Sequence, residues 1–212
     1  MLACLFICLQ APAPAEESIA RTIAGLQERY AAVRTVSAGF RQLYRAPGIE
    51  QVESGVLVMR KPGLMRWEYR DPERKLFVAD GRKTFLYTPE DRQVQVSSLS
   101  ADEVRSTPLQ FLLGQGDILK SFTATPETEF RASAEDSALV RLTPRSREPD
   151  YAFLVLECDR RTYDLRRIII REITGNTSEF VLSNLATNVK VDRKEFEFKI
   201  PKGVEVIHLD QK

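Results

Sequence analysis

The sequence predicts an α+β fold in which one amphipathic helix leads into a meander of short antiparallel strands. Two observations carry this reading. Over residues 16–33 the apolar residues recur at three- and four-residue steps, the period of a helix with one buried stripe. From about Val36 the apolar period drops to two, in short runs separated by turn signals, which is the pattern of strands with one covered face. A third feature, a compact apolar segment at 107–114, interrupts the strands.

The helical stripe is Ile19, Ile23, Leu26, Tyr30 and Val33, with Ser18 placed to cap an early turn. Among the strands, Gly55 to Met59 follows the Pro47-Gly48 turn. Leu64 to Tyr69 alternates sharply, with Met65, Trp67 and Tyr69 on one side and Arg66 and Glu68 on the other. Asp71-Pro72, Asp80-Gly81 and Pro89-Glu90-Asp91 turn the chain between Leu76–Val78, Phe85–Tyr87 and Val94–Val96. Thr107-Pro108-Leu109-Gln110-Phe111-Leu112-Leu113-Gly114 has a capping threonine, a proline at the first helical position and a terminating glycine, so it reads as one short helix. Asp117 to Lys120 adds another turn. Strands resume at Leu139–Leu142, Phe153–Cys158, Leu165–Arg171, Glu179–Leu185 and Phe196–Ile200. Strands this short and evenly spaced suggest a meandering sheet.

The 212 residues suffice for one domain with a sizeable core, since 43% are apolar. A net charge of +1 gives no electrostatic footprint for nucleic acid or an acidic substrate. Residues 1–15 read as an export signal: an apolar run from Leu2 to Leu9, then Ala13-Pro14-Ala15 as the small-x-small cleavage pattern before Glu16-Glu17. No Lys or Arg precedes the apolar run. Residues 16–212 then form the single mature domain. Cys4 and Cys8 fall inside the signal, and neither has the context of a lipid-modified cysteine. Cys158 is left alone, in a strand run where a buried thiol is expected.

Catalytic chemistry is not written into the chain. The single histidine, His208, stands near the end. There is no His-Glu-x-x-His, Cys-x-x-Cys or Gly-x-Ser-x-Gly, and no phosphate-cradling glycine loop. Asp71, Asp80 and Asp91 sit at turns, where aspartate bonds to nearby backbone N–H groups. No enzyme activity and no cofactor are expected.

An ordered set of pieces goes further. Phe40-Arg41-Gln42 is followed by the unbroken run Ser54 to Tyr69, which includes Arg60-Lys61-Pro62-Gly63-Leu64-Met65-Arg66-Trp67. Then come Asp71-Pro72, Val78-Ala79-Asp80-Gly81, Leu86-Tyr87, Thr107-Pro108, and Phe196-x-Phe198-x-Ile200-Pro201-x-Gly203-Val204-x-Val206-Ile207. From about Ser18 to Ile207 this set resembles the periplasmic outer-membrane lipoprotein carrier family, LolA.

The resemblance implies an incomplete, half-open antiparallel barrel of about ten or eleven strands, with the N-terminal helix and short central helices covering its open side. It implies an apolar cavity for acyl chains, lipoprotein cargo, an ATP-driven inner-membrane donor complex, an outer-membrane acceptor, and a monomeric carrier in the periplasm. An acyl chain gains about 0.8 kcal/mol per buried CH₂, so a carrier needs an apolar wall. Leu57, Met59, Met65, Trp67, Tyr69, Phe85, Tyr87, Phe111, Leu112 and Leu113 are the candidates for it. Met65 lies close after the Pro62-Gly63 turn and is expected at a partly exposed rim. In the family an arginine before the proline bonds to the helical lid. Here Lys61 holds that position and Arg60 stands one residue earlier, and alternation sends the two to opposite faces. Lysine lacks arginine's planar fork, which puts the latch in question. The alternative reading is an outer-membrane acceptor or a sensor module of the same superfamily, itself lipid-anchored in the first case.

Overall fold

The computed structural model describes residues 14–98, 117–146 and 151–209. Helix α1 (Pro14–Ala31) leads into β1 (Thr35–Ala46), β2 (Ile49–Arg60), β3 (Leu64–Asp71), β4 (Lys75–Ala79), β5 (Lys83–Thr88) and β6 (Gln93–Ser98). A one-turn helix α2 (Ile118–Ser121) precedes β7 (Phe122–Pro126), β8 (Ser137–Pro144), β9 (Tyr151–Asp159), β10 (Leu165–Glu172) and β11 (Thr177–Thr187). A 3-10 turn (Arg193–Phe196) and β12 (Glu205–His208) complete the order.

The strands form one 12-stranded sheet in the order β12-β6-β5-β4-β3-β2-β1-β11-β10-β9-β8-β7. Every pairing is antiparallel except β12 with β6. The sheet does not close: β12 and β7 are its two edges. It curves strongly. Neighbouring strands lie about 4.7–4.9 Å apart, so β3 and β11, with β2 and β1 between them, would be about 14 Å apart in a flat sheet. Yet the rings of Trp67 on β3 and Phe180 on β11 are 5.7 Å apart, with Phe40 of β1 at 4.9 Å from Trp67. Side chains standing on one face converge like that only on the inside of a bend.

The expected stripe of α1 is the one that is buried. Ile23, Leu26, Tyr30 and Val33 are at most 2% exposed, with Ile19 packed beside them. Each such burial is worth about 1.5–3 kcal/mol. The helix begins earlier than expected, so Ser18 lies within it, and its carbonyl accepts from the Thr22 hydroxyl at 2.9 Å instead of Ser18 acting as a cap. Asp80 does what turn aspartates do: its Oδ1 accepts from the backbone of Arg82 and Lys83, both at 2.8 Å.

Two details differ from the sequence reading. Phe196–Ile200 is not a strand. Asp192 caps a 3-10 turn through the Lys194 N–H, which buries Phe196, and the pairing strand follows later as β12. The strand β7 was not anticipated: Phe122–Pro126 alternates, but it is only five residues long, ends in a proline and has one large apolar side chain. The expected helix at Thr107–Gly114 lies outside the described residues.

Gly55 marks the sharpest constraint on the bend. It sits where the β2–β3 register slips, between the pairs Ser54–Asp71 and Gly55–Tyr69. A Cβ there would come within 1.9 Å of the Glu68 carbonyl oxygen and 3.0 Å of the Phe40 ring. In an ordinary strand, replacing glycine by alanine gains about 0.5–1 kcal/mol. Here the clash is with backbone, which cannot swing aside. Gly55→Ala is therefore expected to destabilise the chain by about 2 kcal/mol or more, read from urea unfolding midpoints at unchanged slope.

Candidate functional site

The concave face is best followed in rows across the strands, since directly paired residues share a face. The first row is Val36, Met59, Met65 and Ala79. The second is Ala38, Leu57, Trp67, Phe77 and Leu86. The third is mixed: Leu182, Phe40, Gly55, Tyr69 and Lys75. A fourth runs from Val140 through Leu156, Ile168 and Phe180 to Gln42 and Glu53. Apolar rows thus occupy the end nearest the β2–β3 turn, and polar groups accumulate toward the other end of β1 and β2.

The polar end is fully partnered. Glu53, 8% exposed, is ion-paired with Lys75, and Tyr69 donates its hydroxyl to Gln42 at 3.2 Å. Burial, and then the Glu53 carboxylate, push the Tyr69 phenol up to about 12. The Lys75 ammonium sits 5.0 Å from the centre of the Tyr69 ring.

Helix α1 lies over the apolar rows and is fastened at its C-terminal end. Lys61 donates to the carbonyls of Tyr30 and Ala31, each at 3.2 Å. Asn188 accepts from the Arg34 N–H at 2.8 Å and donates to the Ala32 carbonyl at 3.4 Å. These groups satisfy carbonyls that a helix end leaves without partners, and a cation suits the negative end of the helix dipole. The Tyr30 hydroxyl accepts from the Leu165 N–H at 3.0 Å, and Arg29 pairs with Asp164 at 2.8 Å. The Tyr163 ring lies directly against Gly25, where a Cβ would meet it at 2.4 Å. Partial desolvation, and then the neighbouring Arg34, lower the pKa of Lys61. Arg60 turns to the other face and donates to the Val191 carbonyl at 3.1 Å.

Cys158 is buried beside Leu156, and burial pushes its thiol up to about 12, away from the reactive thiolate. Among the described residues no group of three or more His, Cys, Asp or Glu is placed to hold a metal ion.

The sequence profile described as "Outer membrane lipoprotein carrier protein LolA" matches residues 31–199. The chain belongs to the LolA family. The outer-membrane lipoprotein carrier protein of Chromohalobacter salexigens is 30% identical over 203 residues, covering 95% of this chain and 92% of that one. That of Aeromonas salmonicida is 32% identical over 184 residues, covering 85% and 86%. Among solved structures, an uncharacterized conserved protein from Thermus thermophilus shares the fold, with a TM-score of 0.53 at 11% identity over 92% of this chain and 99% of that one.

Set against this LolA-family frame, the residues singled out from the sequence divide into three groups. Leu57, Met59, Met65 and Trp67 are buried in the main core on the concave face, and Tyr69 packs at its margin. Phe85 and Tyr87 do not share that face. Phe85 pairs with Val78, and Val78 with Arg66, so the alternation of β3 puts them opposite Met65 and Trp67. They form a second cluster with Val94 and Val96, capped by Phe198, whose ring is 5.3 Å from Phe85 and 5.7 Å from Tyr87. Phe111, Leu112 and Leu113 lie outside the described residues.

The sequence reading missed much of the described concave wall, including Phe40, Phe77, Leu156, Ile168, Phe180 and Leu182. Leu156 and Ile168 lie in apolar runs of β9 and β10 and Phe180 and Leu182 in the alternation of β11, but which parity faces inward is set by the pairing with β1, several strands away in sequence. The rim placement of Met65 is also corrected. Met65 is 4% exposed, between Met59 and Ala79. An unpaired charge there costs several kcal/mol. Met65→Glu is expected to lower the melting temperature by more than about 10 °C or prevent folding, whereas Val206→Glu, at an exposed edge position, is expected to leave it within a degree or two.

Proposed function

We propose that this chain is a soluble periplasmic carrier that holds the acyl chains of lipoproteins against the concave face and moves them between membranes. The observation that supports it most is the continuous apolar lining of a strongly curved, unclosed sheet, covered by a helix fastened chiefly at one end. Such a surface offers what acyl chains need, and methionines at two neighbouring positions, Met59 and Met65, let it reshape. The described helices include none long and apolar enough to cross a membrane.

On this reading residues 1–15 are an export signal, residues 16–212 are the carrier, and it works as a monomer without a cofactor and without covalent chemistry. Leu57, Met59, Met65, Trp67 and Tyr69 line the acyl site, together with Phe40, Phe180 and the neighbouring row. An ATP-driven inner-membrane complex loads it and an outer-membrane acceptor empties it. The energetics require this division. Acyl chains are nearly as well off in a bilayer as against a protein wall, so loading draws on an outside source of free energy. The carrier's part is to hold loosely. Lys61 fits that role: a single ammonium shared by two carbonyls holds α1 down more weakly than a bidentate arginine fork.

The test uses Trp67, the only tryptophan. Titrating a triacylated lipopeptide into the purified chain is expected to shift Trp67 emission saturably and to displace a hydrophobic dye in parallel. The same peptide without acyl chains is expected to do neither. Absence of both signals with the acylated peptide would reject the reading.

A further inference from the structure

The hairpin of β1 and β2 is longer than the sheet on its far side. β2 pairs with β1 from Ile49 through Arg60, but its pairing with β3 ends at Ser54–Asp71. Along Ile49–Glu53, alternate backbone N–H and C=O groups therefore face away from β1 with no described strand beside them. This stretch is exposed: Ile49 is 56% and Val52 38% accessible, and only Glu53 is covered. A free strand edge is a template for another strand, and proteins usually blunt one with charge or cover. Here the charges on it are already neutralised, Glu50 by Arg45 and Glu53 by Lys75.

Where β3 leaves β2, a groove of about 370 Å³ opens, lined by Arg66, Glu68, Arg70, Arg74, Lys75, Leu76, Tyr87 and others. The Glu53–Lys75 pair joins it to the free edge. Its charge is lopsided. Glu68 is the one acidic residue in the lining, and it pairs with Arg66 at 2.8 Å and with Arg70 at 3.6 Å. Arg74 makes no ion pair or hydrogen bond with any described residue. Asp71, at the end of β3, and Glu73, in the turn that follows, do not line the groove. Leu76 and Tyr87 give it an apolar wall.

We infer that the free edge of β2 at Ile49–Glu53 and the arginine-lined groove beside it form one docking surface for an extended, acidic polypeptide segment. The segment adds as a strand beside β2, with its main chain supplying the hydrogen bonds, and places carboxylates against Arg70 and Arg74. Main-chain pairing gives affinity in such additions, and side-chain pockets give specificity. Guanidinium forks suit carboxylates, and steering by them is salt-dependent. A lipid surface fits less well, because a strand edge offers nothing to a headgroup and Glu68 divides the cationic cluster. The groove meets the proposed acyl site at Tyr69, which lines both at the polar margin of the concave face, whereas the free edge of β2 and Arg70 and Arg74 are no part of that site.

The experiment measures fluorescence anisotropy of a labelled decapeptide alternating valine and glutamate. Its controls are the valine–lysine counterpart, a valine–glutamate version with every second amide N-methylated, and vesicles of phosphatidylglycerol. The expected result is saturable binding of the acidic peptide at least tenfold tighter than of the basic one. N-methylation on the pairing side should weaken it at least tenfold, as should the Arg70→Glu, Arg74→Glu double variant. The exchange of amide hydrogens at 49–53 should slow when the peptide binds. Melting curves and Trp67 emission establish that the variant is folded, and Lys202→Glu serves as a charge-reversal control with unchanged binding. Equal binding of acidic and basic peptides, or indifference to N-methylation, would overturn the inference. So would vesicle binding that the double variant abolishes while peptide binding is absent, which would assign the groove to a membrane surface.

Discussion

Trp67 and Phe180 touch across two intervening strands, and nearly everything else in the molecule depends on the bend that lets them. A sheet this wide has two faces to cover. Bending it gathers one face into a concave wall that α1 can roof, while the other is left to charged side chains and the C-terminal segment. The bend needs a place where two backbones come unusually close. Gly55 supplies it, with the Glu68 carbonyl where a side chain would start. The ring of Phe40 then fits between Trp67 and Tyr69, 4.9 Å and 5.0 Å from them, in tilted and edge-on contacts that aromatic pairs favour.

The convex face shows what the same strands do when they are not gathered inward. Glu157, 1% exposed, accepts from the Ser133 backbone at 2.7 Å and pairs with Arg167 at 2.6 Å, and Arg167 reaches Glu179 at 3.0 Å. Arg141 clamps Glu127 with two bonds of 3.0 Å. These pairs tie the loop between β7 and β8 onto the sheet. The hydrogen bonds from Arg141 and Ser133 hold the carboxyls of Glu127 and Glu157 below the usual range against the opposing effect of burial. Both groups thus contribute stability above the ordinary carboxylate pKa, and that contribution is lost as pH falls through their depressed values. Among the described residues, the paired rows of the concave face carry the Glu53–Lys75 pair and its tyrosine neighbour, gathered at one end. That asymmetry, ion pairs outside and an apolar wall inside, is the physical basis for reading the inner face as the one that meets an apolar ligand.

Much of this was legible in the residues. The stripe of α1 from Ile19 to Val33 named its own buried face, because helical periodicity is local. The strands from Gly55 to Val96 were found by alternation and turn chemistry, also local signals. What alternation cannot give is which parity points inward. For Met65 and Trp67 the large aromatic pointed the right way. For Phe85 and Tyr87 the same reasoning failed, because apolar residues also face outward there to meet Phe198, a residue more than a hundred positions later. Met65 was misplaced at a rim for a related reason: nearness to a turn in sequence says little about exposure when the residue is flanked across the sheet by Met59 and Ala79 and buried in the main core. A latch at Lys61 was implied by the family resemblance, which lysine in place of arginine put in question; its partners, the last carbonyls of α1, belong to geometry alone.

The account's central claim is that acyl chains meet the concave face and no other. A lipopeptide carrying a photoreactive diazirine near the end of one acyl chain tests it directly, by irradiation of the complex and mass-spectrometric mapping of the attachment sites. The account predicts adducts on concave residues such as Leu57, Met59, Trp67, Phe180 and Leu182, and none on Phe85, Tyr87, Val94 or Phe198. Adducts concentrated on that second cluster, or scattered over both faces, would contradict it.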